Sequence, residues 1–240
     1  MILAFSACVG GKDDTTADLV GGDSDTDTDA DSDTDADSDG PVTLLSEGYG
    51  HTAEQWGPIW WNWLYSMGPD ANPILDTADC GTSQTEEVFF LGPTYVGAAS
   101  RTCTVPAGRP IFFPTDTLEL DNHGPETTYT ASAEYLGSLV EGWVDSVLDR
   151  GLVIDDQVWD AADLEAHNGD YQVFVLTVPD IDPNFLDFNG FPHWSGDLDP
   201  AVCDGVWILI DPLPVGVHHV SFFAEYTTFR VEVEYELVVE

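Results

Sequence analysis

Basic residues are almost missing from this chain. Its 240 residues hold five Lys plus Arg against 45 Asp plus Glu, a formal charge of −40. Nucleic-acid binders neutralise phosphates with cations, so that class is excluded and no nucleic-acid partner is expected. Long apolar runs are missing too: after Cys8 no stretch approaches the roughly 18 residues needed to span a bilayer as a helix. Cysteine is sparse, at four, with no Cys-x-x-Cys or paired Cys/His spacing for a zinc site. There is no Gly-x-Ser-x-Gly elbow and no glycine-rich phosphate loop, so nothing names a nucleophile or a nucleotide.

What is present is a core and an uneven charge. Hydrophobic residues make up 43% and aromatics 12%, too apolar a balance for a disordered acidic chain. Residues 1–40 carry 12 of the acids and only one base, Lys12, leaving 33 acids and four arginines for the remainder. Some two hundred residues suit one domain large enough to fold without a disulfide scaffold. A surface so acidic favours solubility and fits a salt-rich or divalent-rich milieu.

Met1-Ile-Leu-Ala-Phe-Ser-Ala-Cys8 is an apolar run ending in small residues before a cysteine. It resembles the tail of a bacterial lipoprotein signal peptide, with Cys8 as the lipidated residue. Phe5 stands where that motif usually has Leu, and no Lys or Arg precedes the run, as expected if the signal begins upstream of Met1. The resemblance implies export and attachment to a membrane through lipid, at the cell envelope, outer membrane or extracellular surface.

From Asp23 to Asp39 every second residue is Asp, nine in all, closed by Gly40-Pro41. Such a segment buries no apolar area and repels itself, so it reads as an extended tether. Calcium loops also alternate carboxylates, but they need an internal glycine and a distal bidentate acid that are lacking here. The expected organisation is a signal remnant at 1–8, a disordered acidic tether at 9–41 and a single domain at 42–240.

Thr52 followed by Gln55 is a capping box, and Trp56, Trp60, Trp63, Leu64 and Met67 recur at helical spacing. The spacing predicts a helix with a buried aromatic stripe, either kinked at Pro58 or starting there. A sugar-stacking platform is the competing use of these tryptophans. Between Thr130 and Arg150 the positions Leu136, Leu139, Val140, Trp143, Val144, Val147 and Leu148 predict a second helix stopped by Gly151. Strands are expected at Val88–Leu91, then as a hairpin-like pair at 100–105 and 111–113, and at 152–154, 171–178, 206–210, 217–223 and 228–239. In the last, Phe229, Val231, Val233, Tyr235 and Leu237 alternate with Arg230, Glu232, Glu234 and Glu236, one face buried and the other wet. The fold class expected is mainly β (α+β): an antiparallel β-sandwich, jelly-roll or Ig-like, with two packed α-helices.

The succession Tyr49-Gly50, Trp56, Trp60-Trp61-Asn62-Trp63, Asn72-Pro73-Ile74-Leu75-Asp76, Cys80, Arg101-Thr-Cys103-Thr-Val-Pro106-Ala-Gly108, Phe112-Phe113-Pro114, Asp204-Gly205-Val-Trp207 and Pro212-Leu-Pro214-Val-Gly216-Val-His218 resembles a family of secreted bacterial and archaeal proteins. The resemblance covers most of residues 48–239. It implies an exported β-rich domain and carries no established activity and no catalytic residue. The chain departs from the pattern at Ser221, where relatives often have histidine, and at Cys203, where they have serine.

With Cys8 lipidated, Cys80, Cys103 and Cys203 remain for an oxidising compartment; Cys80–Cys103 is the preferred disulfide and Cys203 the leftover. His218 and His219 are adjacent in a strand and point to opposite faces, so they do not share an ion, and one of them should be a satisfied core histidine. The segment Pro179–Asp199 is the best binding candidate: Asp182, Phe185, Asp187, Phe188, Phe191, His193 and Trp194 mix aromatics with acids over a loop too long to be idle. Such a set suits sugar stacking, or a calcium site beside it; no other cofactor is expected. The function expected is a lipid-anchored surface protein with a non-enzymatic binding or structural envelope role, its partner a polysaccharide or an envelope protein. A carbohydrate-active hydrolase and a calcium-dependent adhesion module are the alternatives.

Overall fold

The computed structural model describes residues 40–75, 79–95, 97–123 and 131–240. Cys8 and the Asp-rich segment lie outside the described residues. The chain divides between Asp39 and Gly40, and the second unit, Gly40–Glu240, carries the fold.

The strands are β1 (Leu44–Leu45), β2 (Glu47–Gly48), β3 (His51–Thr52), β4 (Phe89–Phe90), β5 (Gly97–Val105), β6 (Ile111–Leu120), β7 (Asp149–Ile154), β8 (Gln157–Trp159), β9 (Gln172–Val178), β10 (Gly196–Ile210), β11 (Gly216–Glu225) and β12 (Arg230–Val239). Helices are α1 (Ala53–Tyr65), α2 (Ala133–Val144) and the single turns α3 (Ala161–Leu164) and α4 (Phe185–Phe188). One five-stranded sheet runs β1-β10-β6-β4 with β9 also on β10; the other runs β5-β12-β11-β7-β8. The architecture is the expected mainly β sandwich with two packed helices. Most pairings are antiparallel, while β4 on β6 and β5 on β12 are parallel.

The chain makes three layers: α1, the β10 sheet, and on the other face of that sheet the β12 sheet with α2 beside it. Between the sheets lie Ile111, Phe113, Val206, Ile208 and Ile210 from one side and Val220, Phe222, Val233, Tyr235 and Leu237 from the other. On the outer face of the β10 sheet Phe112, Trp207 and Leu209 meet Trp56, Trp60, Trp63 and Leu64 of α1. Phe112 stacks on Trp207 at 5.7 Å and 13°. Gly57 of α1 is required by this approach, since a Cβ there would stand 2.6 Å from the Trp207 ring. The tryptophan stripe is therefore core, and the platform reading fails for Trp56, Trp60 and Trp63.

Helix α1 begins at Ala53 behind a capping box made by Thr52 and Gln55, and it runs through Pro58. The first-turn proline position is thus not used; the tertiary seat on the sheet outweighs one missing N–H. Helix α2 stops at Val144, earlier than its apolar periodicity suggests. The Leu148 N–H donates to the Glu225 carbonyl at 2.8 Å, so sheet pairing takes over where the helix pattern still continues. Leu139 and Leu148 are left exposed, and Gly151 lies within β7 under the Phe223 ring. The expected hairpin of β5 with β6 does not form: the two strands belong to different sheets, because Pro106–Pro110 carries the chain across the sandwich.

Candidate functional site

Between β9 and β10 the chain crosses the Asp180–Trp194 segment, pinned by α4. Asn184, fully buried, caps α4 by accepting from the Leu186 and Asp187 N–H groups at 3.0 and 3.1 Å. Asp187 Oδ2 accepts the Asn184 N–H at 2.8 Å, completing the box. The Asn184 amide also donates to the Trp194 carbonyl at 2.7 Å, tying the two ends of the segment together. Asn-x-x-Asp at 184–187 was a readable capping signal.

This local order brings three of the expected binding residues to one point. Ligand atoms of Asp182, Asp187 and His193 all lie within 4.8 Å of one another. His193 Nδ1 is 2.8 Å from Asp187 Oδ2, and its Nε2 is 3.7 Å from Asp180 Oδ1. The hydrogen bond from His193, followed by that from the Asn184 backbone, holds the Asp187 carboxyl below its usual range. The same bond raises the His193 imidazole. Two carboxylates and an imidazole form a donor set for borderline first-row ions such as Zn²⁺ or Mn²⁺, whereas calcium prefers six to eight oxygens.

The aromatics of the segment do not form a platform together. Phe185 is buried and meets Tyr65 edge-on at 5.1 Å. Phe191 and Trp194 are half-buried and flank the His123 ring at 5.6 and 5.5 Å. Phe188 is the most exposed of the four, at 45%, although it stacks on Phe185 at 6.1 Å and 23° and meets Tyr95 edge-on at 5.5 Å.

Behind this segment lies a group that sequence reading did not single out. Glu119 and Asp121 project from one face of the β6 end, and Tyr65 OH donates to Glu119 Oε2 at 3.3 Å. Burial lifts both carboxyls above their ordinary range, Glu119 far above. Glu119 Oε1 has no hydrogen-bond partner. The signal available was two acids, two residues apart, alternating with Leu118 and Leu120.

Several motif residues turn out to build the fold. Trp60 Nε1 donates to the Leu91 carbonyl at 2.9 Å, and Arg101 donates to the Gly92 carbonyl at 2.8 Å and to Tyr235 OH at 2.6 Å. His218 is the satisfied histidine, its ring nitrogens 2.8 Å from Asp155 Oδ2 and 2.9 Å from the Pro214 carbonyl; His219 is exposed. Cys80 and Cys103 form the expected disulfide and Cys203 is free and buried. No helix among the described residues is long and apolar enough to cross a membrane. No family model matches the chain, and comparisons with curated proteins and with solved structures found no match.

Proposed function

We propose that this chain is an exported surface lipoprotein, anchored through Cys8, whose sandwich domain binds an envelope polysaccharide or protein without catalysing a reaction on it. The observation that carries the binding reading is the convergence of Asp182, Asp187 and His193 on a segment that also leaves the Phe188 ring exposed. The Cys80–Cys103 disulfide supports export, because such bonds persist in oxidising compartments. A divalent ion at the three side chains would fix the loop and lend an open coordination position to a partner's oxygen, the arrangement of a cation-dependent adhesion module.

The test is the melting temperature of the full chain against Zn²⁺, Mn²⁺, Ca²⁺, EDTA and a polysaccharide panel at matched ionic strength. A ligand bound only by the folded state adds about 2.7 kcal/mol at a hundredfold excess over Kd. Saturable stabilisation that disappears in His193→Ala is expected; a response to ionic strength alone would overturn the reading. Labelled palmitate should enter the wild-type chain and not Cys8→Ser.

A carbohydrate-active hydrolase is the second reading, favoured by Glu119 and Asp121: a carboxyl whose hold on its proton is strengthened by burial, beside a second carboxyl, is the kind of pair that general acid catalysis of glycoside cleavage uses. Release of reducing ends by wild type and its loss in Glu119→Gln would select it.

A further inference from the structure

Val178 and Gly196, which flank the Asp180–Trp194 segment, are a ladder pair of β9 and β10. The segment therefore leaves and rejoins the sheet at one place and can lift without unpairing a strand. It is tied within itself, since the Asn184 amide links α4 to the Trp194 carbonyl. Its aromatic contacts with the body fall on Tyr65, Tyr95 and His123. Phe185 meets Tyr65 at 5.1 Å, Phe188 meets Tyr95 at 5.5 Å, and Phe191 and Trp194 meet His123 at 5.6 and 5.5 Å. The Tyr95 hydroxyl also donates to Asn189 Oδ1.

Two of the residues that seat the segment also hold the buried acids. Tyr65 OH donates to Glu119 Oε2 at 3.3 Å, and the His123 N–H donates to Asp121 Oδ1. The groups that face the pair are Tyr65 of α1, Tyr95 beyond it, the Cys203 thiol opposite Glu119 on β10, and His123 at the end of β6. The four arginines are engaged elsewhere: Arg101 on Gly92 and Tyr235, Arg109 on Glu86, Arg150 on Asp116, and Arg230 on Glu225 and Glu232. An ionised Glu119 would thus be a buried charge with no cation, and an ionised Asp121 beside it adds repulsion. Burial accordingly lifts both carboxyls above their ordinary range. A proton held more tightly in the closed state than in the open one favours closure in acid, and that contribution is lost as pH rises through the closed-state value. Water reaches the pair most cheaply by way of the segment, because the other neighbours are α1, packed on aromatic rings, and β6 and β10, both interior strands. We propose that the Asp180–Trp194 segment is a pH-operated lid over Glu119 and Asp121, shut while the pair is protonated and lifted when it ionises. The lid carries Asp182, Asp187 and His193, so it regulates the site of the proposed function and rests on that reading for its purpose.

Amide hydrogen exchange of the full chain from about pH 5 to 9, expressed as protection over the intrinsic rate at each pH, tests it. Protection across residues 180–194 should fall as pH rises, by up to about tenfold per pH unit for each proton released, while that of Ala201–Ile210 in β10 holds. The double variant Glu119→Gln with Asp121→Asn has no carboxyl to ionise there and should keep residues 180–194 protected throughout. Tyr65→Phe keeps the ring that seats Phe185 and removes a donor that favours the charged form of Glu119, so the fall should begin at higher pH. A packing role alone would instead lower protection at every pH. Protection that does not change with pH in wild type, an equal fall in β10, a fall that the double variant retains, or a Tyr65→Phe fall that does not move upward would each overturn the lid. None of these results touches the binding reading, which fails separately if melting temperature responds to ionic strength alone.

Discussion

Strand β10 buries every residue from Ala201 to Ile210, whereas β12 buries Val233, Tyr235, Leu237 and Val239 and leaves Glu234 and Glu236 in water. Both strands are interior members of five-stranded sheets. The difference comes from what covers each sheet: α1 lies on the outer face of the β10 sheet and α2 sits beside the β12 sheet on its inner face, while the main outer face of the β12 sheet carries its glutamates, Ser221 and His219. A continuous apolar run thus reports two covered faces, and alternation reports one. The same contrast separates the two helices, since α1 is packed on aromatic rings and α2 keeps Tyr135 and Leu139 exposed.

Substitutions on the two sides should differ steeply. Trp207→Ala removes a fully buried ring stacked on Phe112 and should cost about 3–5 kcal/mol by chemical denaturation. Gly57→Ala pushes a methyl into the same ring and should cost about 1–3 kcal/mol, since a buried indole between helix and sheet has little room to yield. Gly142→Ala on the outer side of α2 meets nothing within 4 Å and should stabilise by up to about 1 kcal/mol; a loss there would break the comparison. Glu236→Gln should stay within about 0.5 kcal/mol either way.

The covered sheet also stores acid groups with a predictable pH signature. Burial raises Asp204 from 3.8 to about 6, with Glu141, Asp145 and Asp116 adding to the effect against the Gly205 N–H. A carboxyl that holds its proton more tightly when folded binds more protons in the native state, so its contribution falls as pH rises from about 4 to about 6. Asp204→Asn keeps an acceptor for the Gly205 N–H and should flatten that part of the stability curve. Asp187, held low by His193, contributes with the opposite sign: its stabilisation is present above the ordinary carboxyl range and is lost as pH falls. Tm measured from pH 2 to 7 in wild type, Asp204→Asn and Asp187→Asn, with matched salt, checks both slopes.

Much of the fold could be read from local pattern. The Thr52/Gln55 box placed the start of α1, and the alternation of Val231 to Leu237 named the buried face of β12, because both signals are set by periods of 3.6 and 2. The end of α2 could not be read, since Val147 and Leu148 keep a helical period and only the Glu225 carbonyl draws the chain into the sheet. For the site, composition pointed to the segment holding Asp182, Asp187 and His193 and could not say which residues meet. Phe185 and Phe188 look alike in sequence, yet one packs on Tyr65 and the other faces water. Glu119 was lost among 33 acids outside the first forty residues, where abundance hides the one whose burial matters.

By itself the sequence determined the β-rich class, the acidic surface, the aromatic helix and the Cys80–Cys103 pair, all of which follow from composition, periodicity and short-range spacing. Tertiary structure alone decided that β5 and β6 part to different sheets, that β10 is covered on both faces, and that Arg150 reaches Asp116 across the sandwich. These are contacts between segments distant in the chain. Their energies depend on shape and burial, and no local pattern encodes either.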